Sequence, residues 1–223
     1  MSGEFLGRII GRVGSCSADM TVLELQEMWQ EVMASGSSSE RLLADFGSLL
    51  RDERWRAALV GQSRETATHY VWTLAAGFAG HPRLCIHEYK SRTETGSGHA
   101  NTIHNHRYDF VSHILRGGYT HEDFSVEGTG RPLADWGAPS LVCTSRLAAG
   151  QGILLESHEF HRVTHIKDST FTAVLKTASR RDHSVSFSAP DRAPARHYPL
   201  PVRARLLMKR LTLDESGAQS SGP

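Results

Sequence analysis

The stretch TIHNHRYDFVSHILRGGY, residues Thr102–Tyr119, decides how this chain folds and where its chemistry lies. It places His104, His106 and His113 in a run rich in β-branched and aromatic side chains, which is typical of strands. Histidines two residues apart on a strand project from the same face, because side chains alternate across a pleated sheet. The pair His104 and His106 is therefore either a pair of ligands for one metal ion or two exposed strand residues.

Further strand-like runs surround this stretch and are separated by Gly, Pro, Asp and Ser. They are RLCIHEY, YTHEDFSV, SLVCTSRL, GILLE, HRVTHI and TFTAVLKT, between Arg83 and Thr177. No helical pattern intervenes, which favours an antiparallel barrel or sandwich over a parallel sheet. The predicted fold class is mainly β.

Two amphipathic helices are predicted before the strands. In the first, apolar residues from Val22 to Val32 recur at helical spacing, and Thr21 with Glu24 has the spacing of a capping box. In the second, apolar residues recur from Leu42 to Leu50. We therefore predict a flexible N-terminus over 1–20, a helical segment packed on the barrel over 21–80, a β-barrel over 81–190, and a Pro-rich C-terminal extension with a mobile tail over 191–223.

Composition narrows the possible partners. The 223 residues carry a net charge of +1, which gives no basic footprint for nucleic acid. No apolar run approaches the roughly 20 residues that span a bilayer, and the three cysteines are far apart, which favours a reducing compartment. We expect a cytoplasmic monomer or homodimer that binds neither nucleic acid nor membrane.

A second group of histidines lies in GQGILLESHEFHRVTH, residues 150–165. Together with the first stretch, it resembles the two sequence boxes of the cupin superfamily. The first box is G, five residues, HxH and a closing G, and it matches Gly98, His104, His106 and Gly118. The second box is G, five residues, PxGxxH, and it matches Gly150 and His161, with Glu156 and His158 at the usual Pro and Gly positions.

The resemblance implies a cupin-type antiparallel β-barrel, a double-stranded β-helix or jelly roll, in which the imidazoles of His104, His106 and His161 converge. Barrels of this size hold one metal ion and one small ligand. Many cupins add an acidic ligand five residues after the second histidine, and that position is Val111 here. Asp109 lies two residues too early to replace it, and we interpret it as a strand or turn residue.

A narrower resemblance is to the cysteine dioxygenases, which are three-histidine iron enzymes. It rests on HRV at 161–163, on the following TFTAVLKT, and on YVWTL before the barrel. The family's carboxylate-binding arginine falls near Trp72, its cross-linked cysteine at Val111 and its tyrosine near Ala178, so none of the three is present. Either another arginine takes over, for which Arg83, Arg107 and Arg162 are the candidates, or the substrate is not free cysteine.

These observations predict an iron(II)-dependent oxygenase or dioxygenase that uses O2 on a small molecule, for which a thiol and an amino-acid-derived metabolite are the candidate substrate classes. Nickel, manganese, zinc and copper fit the same ligands. Two alternatives remain open: a metal-dependent isomerase, epimerase or lyase, and a non-catalytic cupin that binds a metal or metabolite.

Several other side chains are candidates for the site. His113 and Tyr108 are predicted to contribute to catalysis, and a buried core histidine is the alternative interpretation of His113. His158 is an alternative metal ligand, while His165 and Tyr89 are candidate pocket residues. No residues are assigned to an organic cofactor.

Overall fold

The computed structural model describes residues 4–34, 38–66, 68–76, 81–91, 102–187 and 194–197. Its helices are α1 Glu4–Gly14, α2 Val22–Met33, α3 Ser38–Arg51 and α4 Glu53–Gln62, with a 3-10 turn at Leu133–Asp135. Its strands are β1 Arg64–Glu65, β2 His69–Ala76, β3 Arg83–Tyr89, β4 Ile103–His104, β5 Phe110–Arg116, β6 Gly118–Ser125, β7 Ser140–Ala148, β8 Gly152–Leu155, β9 Phe160–Thr164, β10 Phe171–Lys176, β11 Ser184–Phe187 and β12 Ala195–His197.

The two predicted helices are confirmed as α2 and α3. Helix α2 begins with a complete capping box, in which Glu24 N donates to Thr21 Oγ1 at 3.3 Å and Thr21 N donates to Glu24 Oε2 at 2.7 Å. Helix α4 follows α3 directly, and the Asp52 carboxylate caps it by accepting from the backbone N–H groups of Arg54 and Trp55. The local sequence thus fixes where these helices begin.

The structure corrects the expectation of a flexible N-terminus over 1–20, because α1 occupies most of that segment. Leu6, Ile9 and Val13 share one face of α1, and each is at most 2% exposed. Leu6 N also donates to Asp45 Oδ2 on α3 at 3.0 Å. The spacing of the three apolar residues, three and then four apart, is the helical signal that the prediction overlooked.

The strands form two six-stranded sheets in which every neighbouring pair is antiparallel. The first has the order β1-β2-β3-β10-β5-β8 and the second β12-β11-β4-β9-β6-β7. The mainly β fold class with N-terminal helices is confirmed. Across the residues described, the two sheets are hydrogen-bonded separately and are not closed into one barrel. Strand β2 lies within the segment predicted to be helical, so the first sheet starts earlier in the chain than position 81.

The first sheet packs its two faces against different partners. On β10, Ala173 and Leu175 belong to the apolar core shared with the helices, together with Trp72 of β2 and Val111 of β5. Val174 instead lines a cavity between the sheets. Because side chains alternate along a strand, each strand of this sheet divides its residues between the helix-facing core and the cavity.

None of the helices in the described ranges is long and apolar enough to cross a membrane. Most of the C-terminal extension predicted over 191–223 lies outside the described residues. The exception is 194–197, where β12 pairs with β11 at one edge of the second sheet.

Candidate metal centre

Three histidines converge between the sheets, as their spacing predicts. The available ligand atoms of His104, His106 and His161 all lie within 4.8 Å of one another. Strand β4 pairs with β9 so that His104 lies directly opposite His161. The Nε2 atoms of His106 and His161 are 2.8 Å apart, and the ring centroids of the three residues are separated by 4.7 to 5.0 Å.

His106 is placed by a loop and not by the continuous strand that the sequence predicts, because β4 ends at His104. The loop is anchored by Asn105, which is 1% exposed. Its N–H donates to Val185 O at 3.0 Å, and Val185 N–H donates to Asn105 Oδ1 at 2.7 Å. This double hydrogen bond to β11 fixes the backbone between the two histidines.

The buried environment keeps the imidazoles of His106 and His161 neutral. Desolvation, followed by the charge of His104, holds the pKa of both His106 and His161 well below the usual value. The nearby charge of Lys176 lowers the pKa of His106 further. Neutral imidazole is the form that binds a metal ion, since it retains a nitrogen lone pair.

The orientation of the rings also suits a metal ion. His104 Nδ1 lies 3.1 Å from the carbonyl oxygen of Thr102, to which it can only donate, so Nε2 of that ring carries the lone pair. Two imidazole nitrogens bound at right angles to one ion, at about 2.1 Å each, lie about 3 Å apart, close to the separation of His106 and His161. The three residues therefore fit a metal ion, and imidazole donors suit iron, nickel, copper and zinc.

A cavity of about 100 Å³ adjoins the three histidines. Both sheets contribute to its lining, which includes Ser112, Ile153 and Val174 from the first sheet and Val163 from the second. Tyr89 and Tyr119 also line it, and burial raises the pKa of both phenols, so both remain protonated near neutral pH. The lining thus combines apolar side chains with polar ones, which include five histidines.

The side chain that approaches the histidines from β5 is Phe110. Its ring centroid is 4.7 Å from that of His106 and 6.1 Å from that of His161. An apolar ring therefore occupies the space that a fourth, acidic ligand from this strand would need. Val111 faces the helices, and Asp109 accepts from Ser157 N at 2.7 Å and pairs with Arg180.

The structure does not bring His113, a predicted catalytic residue, to the three histidines. His113 lies on the helix-facing side of β5, where its ring is 6.0 Å from that of Trp29 and Nε2 is 3.5 Å from Ser39 Oγ. The physical reason is that side chains alternate along β5, so Phe110 and Ser112 face the cavity while Val111 and His113 face the helices. The prediction counted the inward face from Val111, the position of the acidic ligand in many cupins. His113 is therefore a buried residue between sheet and helices, which was the alternative interpretation.

The other candidates lie in different places. Tyr108 stacks on His106 with ring centroids 5.4 Å apart, and its role in catalysis stays a prediction. His158 is no ligand, because its side chain is 63% exposed and pairs with Glu156. His165 is exposed in a turn with φ of 47°. Tyr89 is confirmed as a pocket residue.

Two of the arginines that were candidates to bind a substrate carboxylate, Arg83 and Arg162, do not line the cavity. Arg162 pairs with Glu122 at 2.6 Å, and Arg83 is exposed at the start of β3. The buried cation near the cavity is Lys176, which is 6% exposed. Its Nζ lies 3.4 Å from Nε2 of His87, a lining residue, and 4.9 Å from the centroid of the Tyr108 ring.

Two histidines at the site were missed by the sequence reasoning. His69 lines the cavity and stacks on His87 at 4.4 Å, and burial followed by the charge of Lys176 lowers its pKa to about 3. His121 lies behind His161, with its Nε2 3.0 Å from His161 Nδ1. In the run YTHEDF, His121 follows Tyr119 by two residues, and this spacing was the signal that both side chains point inward.

No protein-family model matches this chain, and no curated protein matches it. Similar solved structures include an RmlC-like cupin from Shewanella frigidimarina NCIMB 400 (13% identity, 54% of this chain, 86% of that chain, TM-score 0.34). KdgF from Halomonas sp. is also similar, with 13% identity over 54% of this chain and 89% of that chain and a TM-score of 0.35. The DMSP lyase DddQ from Ruegeria pomeroyi DSS-3 is similar with 15% identity over 65% of this chain and 70% of that chain and a TM-score of 0.40. All three TM-scores lie below 0.5.

Proposed function

We propose that this chain is a metal-dependent cupin enzyme, an iron(II) oxygenase or dioxygenase that acts on a small molecule. The observation that carries the proposal is the group of three imidazoles of His104, His106 and His161 beside a small cavity between the sheets. Three imidazoles leave coordination positions open on iron(II), which would supply a place for substrate and dioxygen to meet.

Residues around the three histidines support this chemistry because they bring no further ligand and limit the access of water. Phe110 brings no ligand atom to the group, so the side facing the cavity is left for exogenous ligands. Ile153, Val163 and Val174 give that cavity apolar walls, which limit the access of water. The phenols of Tyr89 and Tyr119 remain protonated, and each can donate a hydrogen bond to a polar group of a bound substrate.

The size and charge of the cavity favour a small, anionic reacting group. At about 100 Å³, the cavity has room for roughly three water molecules at about 30 Å³ each. The charge of Lys176 extends to the centre, since it lowers the pKa of the candidate ligand His106. A thiol that binds as its thiolate meets both conditions, and thiols are therefore the first substrate class to test.

The test begins with metal analysis of protein purified without added metal. The protein is then loaded with iron(II) under anaerobic conditions and treated with nitric oxide. We expect one iron per chain and the electron paramagnetic resonance signal of an iron-nitrosyl complex, because open positions accept the gas. Oxygen uptake is next measured with a panel of small thiols.

Matched variants distinguish the site from adventitious binding. His104→Ala and His161→Ala should each abolish stoichiometric iron and the nitrosyl signal, whereas His158→Ala, from the same second box but exposed, should preserve both. Failure of the wild-type protein to retain any divalent metal more tightly than His161→Ala would refute the metal site. Stoichiometric zinc with turnover in the absence of oxygen would overturn the oxygenase and favour an isomerase or lyase.

A further inference from the structure

Behind His161 lies a second histidine, followed by a carboxylate. His161 Nδ1 is 3.0 Å from Nε2 of His121, and His121 Nδ1 is 3.3 Å from Oδ1 of Asp123. His121 is 3% exposed, while the side chain of Asp123 is 40% exposed. A continuous line of polar contacts therefore runs from the three-histidine group to the protein surface.

The pairing of two strands produces this line. Every second side chain of β6 points to the same face, so Tyr119, His121 and Asp123 share one face. Tyr119 lines the cavity. Strand β6 pairs with β9 so that Asp123 lies opposite His161 and His121 lies opposite Val163. His121 is thus the diagonal neighbour of His161 on the same inner face, within reach of its ring.

The donors and acceptors along the line have one consistent assignment when both histidines are neutral. The carboxylate of Asp123 can only accept, so its approach to 3.3 Å from Nδ1 favours a His121 proton on that atom. His121 Nε2 is then an acceptor, and His161 must donate to it from Nδ1. The Nε2 atom of His161, the atom that faces His106, is left without a proton.

We propose that His121 and Asp123 form a positioning pair that fixes His161 in the Nδ1–H tautomer and holds its Nε2 ready to bind a metal ion. The proposal rests on the metal site of the proposed function. The carbonyl of Thr102 does the same for His104 through a single backbone contact. Partners that orient a ligand in this way contribute substantially to metal affinity, typically 10–100-fold.

The first test reads the tautomer in the metal-free protein and so does not depend on metal binding. The ¹⁵N chemical shifts of the His161 ring nitrogens at pH 7.5 should show a protonated Nδ1 in the wild-type protein. In His121→Leu the proton should redistribute toward Nε2. An unchanged His161 tautomer in a folded His121→Leu variant would overturn the proposal, even if the wild-type protein binds metal.

The second test measures the affinity for cobalt(II) alone by optical titration. We expect His121→Leu to bind about 10–100-fold more weakly than the wild-type protein. His121→Gln should recover much of the loss, because its amide can accept from His161 and donate to Asp123. His113→Leu is the matched control, since it replaces a buried histidine that faces the helices, and it should stay within twofold of the wild-type protein.

The surface end of the line supplies a variant with little risk to folding. In Asp123→Ala, His121 loses its acceptor and can adopt either tautomer, so cobalt affinity should fall by a smaller factor than in His121→Leu. Equal affinity of the wild-type protein, His121→Leu and Asp123→Ala would refute the positioning role. A wild-type protein that binds no cobalt but has the expected tautomer would refute the metal site and leave the contact of His121 with His161 intact.

Discussion

Asn105 holds together the segment that carries two of the three histidines. Its side-chain oxygen accepts from Val185 N at 2.7 Å in a buried site. Asn105→Ala should reduce the free energy of unfolding by about 2 kcal/mol, because it leaves a buried N–H without its acceptor. Urea unfolding of the metal-free protein measures this loss.

The same substitution should also weaken metal binding, since the loop that positions His106 is no longer fixed from both sides. Asn105→Asp is the informative comparison, because a carboxylate retains the acceptor for Val185 N. A folded Asn105→Ala protein with the stability of the wild-type protein would contradict the anchoring role.

Lys176 affects the titration of the histidines around the cavity. Its charge is the second largest cause, after burial, of the low pKa of His69, and it also lowers that of His87. Lys176→Met should raise the pKa of His69 above its present value of about 3. NMR titration of the metal-free protein measures the shift, with the exposed Lys167→Met as control. An unchanged pKa in Lys176→Met would show that the charge of Lys176 does not determine it.

At the scale of single residues, the sequence predicts the three converging histidines but not their surroundings. The two-box spacing identifies His104, His106 and His161 because it reflects which backbone positions meet in a barrel-like fold. The assignment of His113 fails because it counts the inward face from Val111, which faces the helices. His121 has no motif, and only the pairing of β6 with β9 brings it to His161.

The turn between β5 and β6 depends on a glycine that has no room for a side chain. Gly117 has φ of +80°, and a Cβ there would lie 2.3 Å from Thr170 Oγ1 and 2.8 Å from Thr170 Cα. Gly117→Ala should therefore combine left-handed backbone strain with a steric clash and destabilise the protein by about 3 kcal/mol. Thermal or urea unfolding measures the change.

Gly150 is the matched control for this prediction. Its φ is +86°, but a Cβ there would meet nothing within 4 Å. Gly150→Ala should lower the free energy of unfolding by about 1–2 kcal/mol, which is the cost of the left-handed backbone alone. If the two variants lose equal stability, the contact with Thr170 is not what requires glycine at position 117.

At the scale of elements, local patterns are sufficient for most of the strands and for α2 and α3. Their hydrophobic periodicity and turn residues are contained in the sequence itself. The errors arise where tertiary contacts decide. Helix α1 is stabilised by burial of Leu6, Ile9 and Val13 against the rest of the molecule, and β2 joins a sheet whose other strands come from later in the chain.

The molecule as a whole should lose stability in mild acid because it buries several neutral histidines. Burial lowers the pKa of His69, His87, His106 and His161 below the value of about 6.5 in the unfolded chain. Below pH 6.5 the unfolded chain therefore binds more protons than the folded protein, so the free energy of unfolding decreases as the pH is lowered. Each such histidine should contribute a loss of about 1 kcal/mol between pH 7.5 and 5.5.

Urea unfolding at the two pH values, with a chelator present, measures this loss. His69→Phe preserves a ring against His87 and removes one titrating group, so the difference between the two pH values should shrink. The exposed His158→Gln should leave the difference unchanged. A wild-type protein equally stable at both pH values would contradict the assignment of these histidines as neutral and buried.

At this largest scale, the sequence predicts helices packed on a β structure but not how the sheets are arranged. The separation into two sheets depends on long-range pairing, such as β3 with β10 and β4 with β11. No local pattern specifies such partners, since pairing is decided by which apolar faces can be buried together.

The register that places His104 opposite His161 has a consequence for biosynthesis. A ribosome completes the first two imidazoles of the proposed site well before the third, so the nascent chain initially presents only a two-nitrogen chelate. Any abundant divalent cation could occupy that incomplete chelate and exchange rapidly. Selective loading of the proposed site would therefore have to wait until β9 has been translated and has docked beside β4.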